Sequence, residues 1–171
     1  MSEVQVWRYA LRNDKPGEGW GVFLLDSNGM LAIASDFGNY VYHWPSQGWG
    51  KGDFRAFLLE LDTCYLSGKL AGGAREYQAD RTLSNIREEI CRLRREGYLK
   101  KDQARCEWDL PREFNNLRQS EDFGNWLEET RLEEAWEWAV YDVPTQLMLF
   151  CQRVWPRFRE LLQSDLGTVA A

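Results

Sequence analysis

The chain has 171 residues, 44% of them hydrophobic, with nine tryptophans and a formal net charge of −6; that apolar content suffices for one real core and excludes a disordered chain. The acidic balance, with a pI near 5.0, argues against binding nucleic acid through the whole surface, since phosphate neutralisation needs a cationic face. No run approaches the roughly 20 apolar residues of a membrane span, and the first residues lack a signal peptide's charged start and apolar middle, so a cytoplasm with no membrane contact is the expected location.

Residues 4–12, V-Q-V-W-R-Y-A-L-R, carry the β-branched and aromatic bias of a strand, with Trp7, Tyr9 and Leu11 on one face. A second strand is predicted from Gly19 to Ser27, apolar on both sides and hence expected to be central and at least partly covered on both faces. Asn28-Gly29 is the dipeptide that suits a two-residue type I′ hairpin, and Met30 to Asp36 pairs back. Phe37-Gly38 makes a second tight connection to a strand over Asn39 to Trp44, on which Tyr40, Tyr42 and Trp44 point one way and Val41 and His43 the other.

Asp53 is placed to cap a helix carrying Phe54, Phe57, Leu58, Leu61 and Tyr65, stopped at Gly68 or Gly72-Gly73. A second helix, capped by Asp80 or Thr82, has its stripe at Leu83, Ile86, Ile90 and Leu93 and closes at Gly97; Leu99 to Trp108 repeats the pattern more weakly. Ser120 is expected to cap the next helix, and there the periodicity splits. Phe123, Trp126 and Leu127 share a face with Trp138 and Tyr141, while Leu132, Trp136 and Ala139 lie opposite. Either the segment breaks near Thr130, or one long helix is apolar on two sides and packs between layers, against a partner or against a second copy in a homodimer. A final stripe, Leu147, Phe150, Val154, Phe158 and Leu161, keeps phase across Pro156 and predicts a kinked helix. The fold class is therefore α+β: a single domain over 1–171, with a four-stranded antiparallel meander at 4–44 and about five helices over 53–165 packed on it.

The chemistry-bearing residues assemble no reaction centre. Asp36-Phe37-Gly38 and Asp122-Phe123-Gly124 spell the kinase metal-binding triplet, but neither follows a catalytic H-R-D loop. With one histidine, His43, and Cys64, Cys91, Cys106 and Cys151 widely spaced, no zinc site is expected, no cofactor is implied, and the thiols read as buried and free. The loop G-W-G-K-G has the composition of an anion nest, with Lys51 adding charge, yet lacks the Walker order. Its Trp49 is the residue type most enriched at binding hot spots. From Ser120 to Asp142 the acids Glu121, Asp122, Glu128, Glu129, Glu133, Glu134, Glu137 and Asp142 face the single base Arg131, whereas Arg87 to Arg105 is locally basic. Either the acidic and basic stretches are charged helices that attract each other or keep the surface soluble, or the acidic segment, bearing Trp136 and Trp138, docks on a cationic partner, for example a surface that otherwise holds nucleic acid.

The order W-G-V-F-L-L-D, D-F-G-N-Y-V-Y-H-W, G-x-G-D-F-R-A-F-L and a late W-A-V-Y resembles a group of small proteins carried by tailed bacteriophages and prophages, most clearly over residues 18 to 70. The resemblance implies no catalytic residues. By analogy with other small phage accessory proteins it implies an antagonist of host defence, such as an inhibitor of CRISPR effectors, working in the bacterial cytoplasm. The expected function is non-enzymatic binding of a host defence complex through Trp49, Lys51, Glu128, Glu129, Glu133, Glu134, Trp136, Glu137 and Trp138, without direct nucleic-acid contact. The alternative is a small-ligand binder that sequesters nucleotide immune signals on the glycine loop and stacking aromatics.

Overall fold

Four strands, β1 (Val6–Leu11), β2 (Gly21–Asp26), β3 (Met30–Ser35) and β4 (Gly38–His43), form an antiparallel meander in the order β1-β2-β3-β4. The structure is a computed structural model that describes residues 3–16, 18–45 and 52–169. The β2–β3 turn differs from the predicted type I′. Only Gly29 takes positive φ, +98°, and the Gly29 amide bonds to the Asp26 carbonyl at 3.1 Å. The connection is thus a three-residue loop ending in a left-handed glycine. Asp26 selects it: its carboxylate accepts from the amides of Asn28 and Met30, both at 2.9 Å. At β3–β4, Gly38 with φ +116° closes a tight turn held by Ser35 Oγ donating to the Gly38 carbonyl at 2.8 Å.

Contacts divide the chain into two compact units, Met1–Ala74 with Val143–Ala171, and Arg75–Asp142. In the first, helices α1 (Phe54–Glu60), α2 (Thr63–Leu70), α6 (Thr145–Arg153) and α7 (Trp155–Val169) share a core with the inward face of the sheet. Tyr9, Phe23, Leu25, Leu31, Ile33 and Trp44 are buried there against Phe54, Leu58, Leu66, Phe150 and Phe158. Phe23 and Phe158 stack with centroids 3.9 Å apart, and Tyr9 meets Phe158 edge-on at 5.7 Å. The sheet and helices approach closely at Gly21, where a Cβ would lie 3.0 Å from Val154 Cγ1.

The predicted single helix from Phe54 to Tyr65 is two. Leu61 is extended (ψ 128°), and Asp62 caps α2 by accepting from the amides of Cys64 and Tyr65. The last stripe holds through Leu147, Phe150, Val154 and Phe158, all buried, but Val154 joins two helices and Leu162, not Leu161, completes the buried row.

Arg55 ties three elements together. Its guanidinium bonds Asp53 Oδ2 at 2.6 Å and Asp165 Oδ2 at 2.9 Å, Tyr9 Oη donates to the same Asp165 oxygen at 2.7 Å, and the Trp7 ring lies 4.6 Å away. The strong pairing holds the Asp53 carboxyl below the ordinary aspartate range.

As expected, β2 is central, between β1 and β3; on its outward face Val22 is half-buried, while Leu24 is 40% and Trp20 42% exposed. Among the described helices, those packed in this core lie on the side of Phe23 and Leu25.

The second unit is closed by a two-stranded ladder of β5 (Glu76–Tyr77) and β6 (Tyr141–Asp142), and holds α3 (Ala79–Arg95), α4 (Lys101–Asp109), a 3-10 stretch at Leu110–Leu117, α5 (Ser120–Glu129) and a 3-10 turn at Ala135–Trp138. Its own core is Ile86, Ile90, Ala104, Leu117, Phe123, Trp126, Leu132 and Ala135. Neither Asp80 nor Thr82 caps α3, which starts earlier; Thr82 is buried and its Oγ1 accepts from the Val140 amide at 2.9 Å. Likewise Gln119, not Ser120, is the N-cap of α5, and its amide donates to Asp122 Oδ2 at 3.0 Å. Of the two readings of 120–142, the break at Thr130 is the one found, with Thr130 extended at ψ 146°.

Candidate partner-binding groove

The break at Thr130 is made by a buried carboxylate. Glu107 of α4 is 6% exposed and accepts from Thr130 Oγ1 at 2.6 Å and the Arg131 amide at 3.3 Å, while Thr130 Oγ1 in turn accepts from the Leu132 amide. Pinned there, the chain ends α5 and turns back. Glu134 then takes a left-handed conformation (φ 54°, ψ 21°), an uncommon choice for a residue with a Cβ. The turn carries Ala135 into the core and leaves Trp136 64% exposed. Asn85 Nδ2 donating to the Trp138 carbonyl at 3.3 Å and the Thr82–Val140 bond fix the far end against α3.

Between this segment and the C-terminal half of α3 lies a groove of about 570 Å³, lined by Glu89, Arg92, Leu93 and Glu96 from α3, Tyr98 and Leu99 after it, and Arg131, Leu132, Glu133, Glu134, Glu137 and Trp138. Five of these are glutamates and two are arginines. Arg92 is fully engaged, bonding Glu89 at 2.6 and 2.8 Å and Glu96 at 2.6 Å. Hydrogen bonding to Arg92 holds Glu89 below the ordinary glutamate range, and the two carboxylates raise the Arg92 pKa. Among the described residues Glu133, Glu134 and Glu137 form no such ion pair, so the far wall carries three glutamates beside one arginine, Arg131. Tyr98, 75% exposed, stands at the rim.

Glu133, Glu134, Glu137 and Trp138 therefore converge on one concave surface. Trp136 lies exposed beside it without lining it, and Glu128 and Glu129 lie on the exposed last turn of α5. Glu129 instead lines a neighbouring hollow with Arg131, Leu99 and Glu107. Trp49 and Lys51 fall outside the described residues, as does the rest of the G-W-G-K stretch. Sequence reasoning missed Glu89, Tyr98 and Glu107. Tyr98, an aromatic directly after the Gly97 stop, was legible as an exposed ring; Glu107 had only its place on the stripe of α4 beside Ala104 as a signal.

The remaining chemistry-bearing residues stay apart. His43 is on the exposed face of the sheet with Nε2 3.0 Å from the Asn28 carbonyl oxygen. Among the described residues no group of histidines, cysteines and carboxylates is arranged to hold a metal ion. The thiols depart from expectation: Cys64, Cys91 and Cys106 are exposed, because Leu66, Ile90 and Ala104 take the inward positions of their helices. Cys151 is buried, and burial pushes its thiol up to about 11. No described helix is long and apolar enough to cross a membrane.

A family model for a phage family, phiTE_072, matches residues 1–164. No curated protein and no solved structure matches the chain.

Proposed function

Because the chain belongs to the phage family phiTE_072, we propose that it acts inside the infected bacterium as a binding protein, docking the acidic groove of the second unit on a cationic surface of a host defence complex such as a CRISPR effector. The observation that carries this reading is the net-acidic wall of Glu133, Glu134 and Glu137 against the one base Arg131, set beside Tyr98, Trp138 and leucines. Negative charge over an apolar floor matches a basic surface that otherwise grips nucleic acid through phosphates and stacking. Steering by charge makes association fast and salt-sensitive. The direct experiment is co-migration of the full chain with purified defence complexes. Binding is expected to weaken by about tenfold or more in Glu133→Lys/Glu137→Lys and to fall as salt rises. Absence of binding to every complex tried, with no change in phage plating on hosts that carry them, removes the reading.

A second reading, sequestration of a nucleotide signal, is favoured by one observation. A hollow of about 370 Å³ between α3 and α4 gathers Arg94, Lys101 and Arg105, with Asp102 among them, around Ile90, Ala104 and Trp108, Arg105 being paired with Asp109 at 2.6 Å. A nucleotide panel titrated into the same preparation separates the two, since a raised melting temperature with a nucleotide and not with the defence complex selects this reading.

A further inference from the structure

An antiparallel sheet covered on one side ordinarily carries polar residues on the other. Here the outward positions are mostly apolar: Val6 is 63% and Val41 65% exposed, with Leu24 and Met30 exposed between them. The polar exceptions at the hairpin end are engaged locally, Asp26 with the turn amides and His43 with the Asn28 carbonyl. A contiguous apolar face of this kind marks an interaction surface.

Its relief says what fits it. The register sets Arg8, Leu24, Ala32 and Val41 across one row and Ala10, Val22, Ala34 and Asn39 across the next. β2 is therefore a ridge of Val22 and Leu24, and β3 beside it a trough floored by alanine. We propose that this face is a homodimer interface, in which two copies stack sheet on sheet about a two-fold axis running parallel to the strands between β2 and β3. That axis lays Leu24 of each copy over Ala32 of the other and Val22 over Ala34, so ridge meets trough reciprocally in an aligned packing. It also sets β1 against β4. Arg8 then meets Val41, Asp26 meets Met30 and His43 meets Val6, so no like charges oppose each other, a condition that matters for a chain of net charge −6.

The area sets the strength. Spacings of ~4.8 Å between strands and ~3.4 Å along them make the face roughly 400 Å² in projection. With Val4 and Trp20 extending it, a pair of copies buries an area near the ~1,200 Å² lower limit of standard interfaces, which gives a dimer that forms and dissociates with micromolar concentration. This proposal stands independently of the acidic groove.

Sedimentation equilibrium of the full chain over low to high micromolar concentration tests it, with circular dichroism confirming that each variant folds. The wild type is expected to rise from the 20.1 kDa of one chain toward twice that mass. Leu24→Glu should weaken the association by about tenfold or more. Ala32→Leu is the sharper variant: it adds apolar area but fills the trough, so reciprocal seating predicts weaker association and indiscriminate adhesion predicts stronger. A wild-type mass constant at one chain overturns the proposal and leaves the face to another occupant. Dimerisation unmoved by Leu24→Glu, or strengthened by Ala32→Leu, overturns it equally.

Discussion

Arg55 shows how much of this fold rests on single side chains. A nearly buried guanidinium is tolerable because two carboxylates and an aromatic face meet it, and removing it would leave Asp53 and Asp165 facing the core without a counter-charge. Arg55→Met is expected to cost about 2 kcal/mol in denaturant unfolding, less than for a fully buried pair because both carboxylates keep contact with water. The same pairing sets a pH dependence. Asp53 titrates lower in the folded state than in the unfolded chain, so the unfolded state takes up its proton first. Its stabilising contribution is complete above the ~4 of a free aspartate and is lost as pH falls through the depressed folded value. Melting temperature followed downward from pH 7 should therefore decline below about pH 4, and Asp53→Asn should flatten that decline. An unchanged acid slope in the variant would show that another carboxylate governs it.

At the scale of elements, what was legible divides by how local its cause is. The meander, its inward face of Tyr9, Tyr40, Tyr42 and Trp44, and the α3 stripe of Ile86 and Ile90 follow from short-range periodicity, and periodicity is what a sequence displays. The misreadings share a different cause. Asp26, Asp62 and Asp122 decide turn type and helix starts through side-chain bonds to nearby amides, a choice that composition leaves open among several acceptors. How far the second face of β2 is exposed was hidden, because apolarity at Val22 and Leu24 does not say what covers them. The groove was half legible: the acidic run named Glu133, Glu134 and Glu137, but the opposing wall of α3 and the pin at Glu107 are long-range facts. That pin yields a prediction. Glu107→Gln keeps an acceptor for Thr130 but turns its NH2 toward the weaker Arg131 amide bond, and should cost about 1 kcal/mol, whereas Glu107→Ala strands the hydroxyl and opens a void, costing roughly 2–3 kcal/mol and weakening any partner bound in the groove. Thermal melts and a titration on the two variants check it; equal effects of both would show that shape, not the bond, sets the turn.

For the molecule as a whole, the first unit is assembled from both ends of the chain and the second lies between them in sequence. Glu76 pairs with Asp142 and Tyr77 with Tyr141, so the chain enters and leaves the second unit at one place. Replacing residues 75–142 by a short glycine-serine link should therefore leave a first unit that melts cooperatively, since the buried residues of its core, Phe23, Phe54, Phe150 and Phe158 among them, come from outside that stretch. A broad, non-cooperative melt of the shortened chain would show that the first core depends on the second.

The little ladder of Glu76–Tyr77 with Tyr141–Asp142 has a consequence for how such a gene can diversify. A ladder of two paired residues asks of the segment between its strands only that both ends return side by side. A recombining virus can thus trade the whole segment while the residues before and after it stay unchanged. Sister genes should differ most in length and charge between the two strands of that ladder.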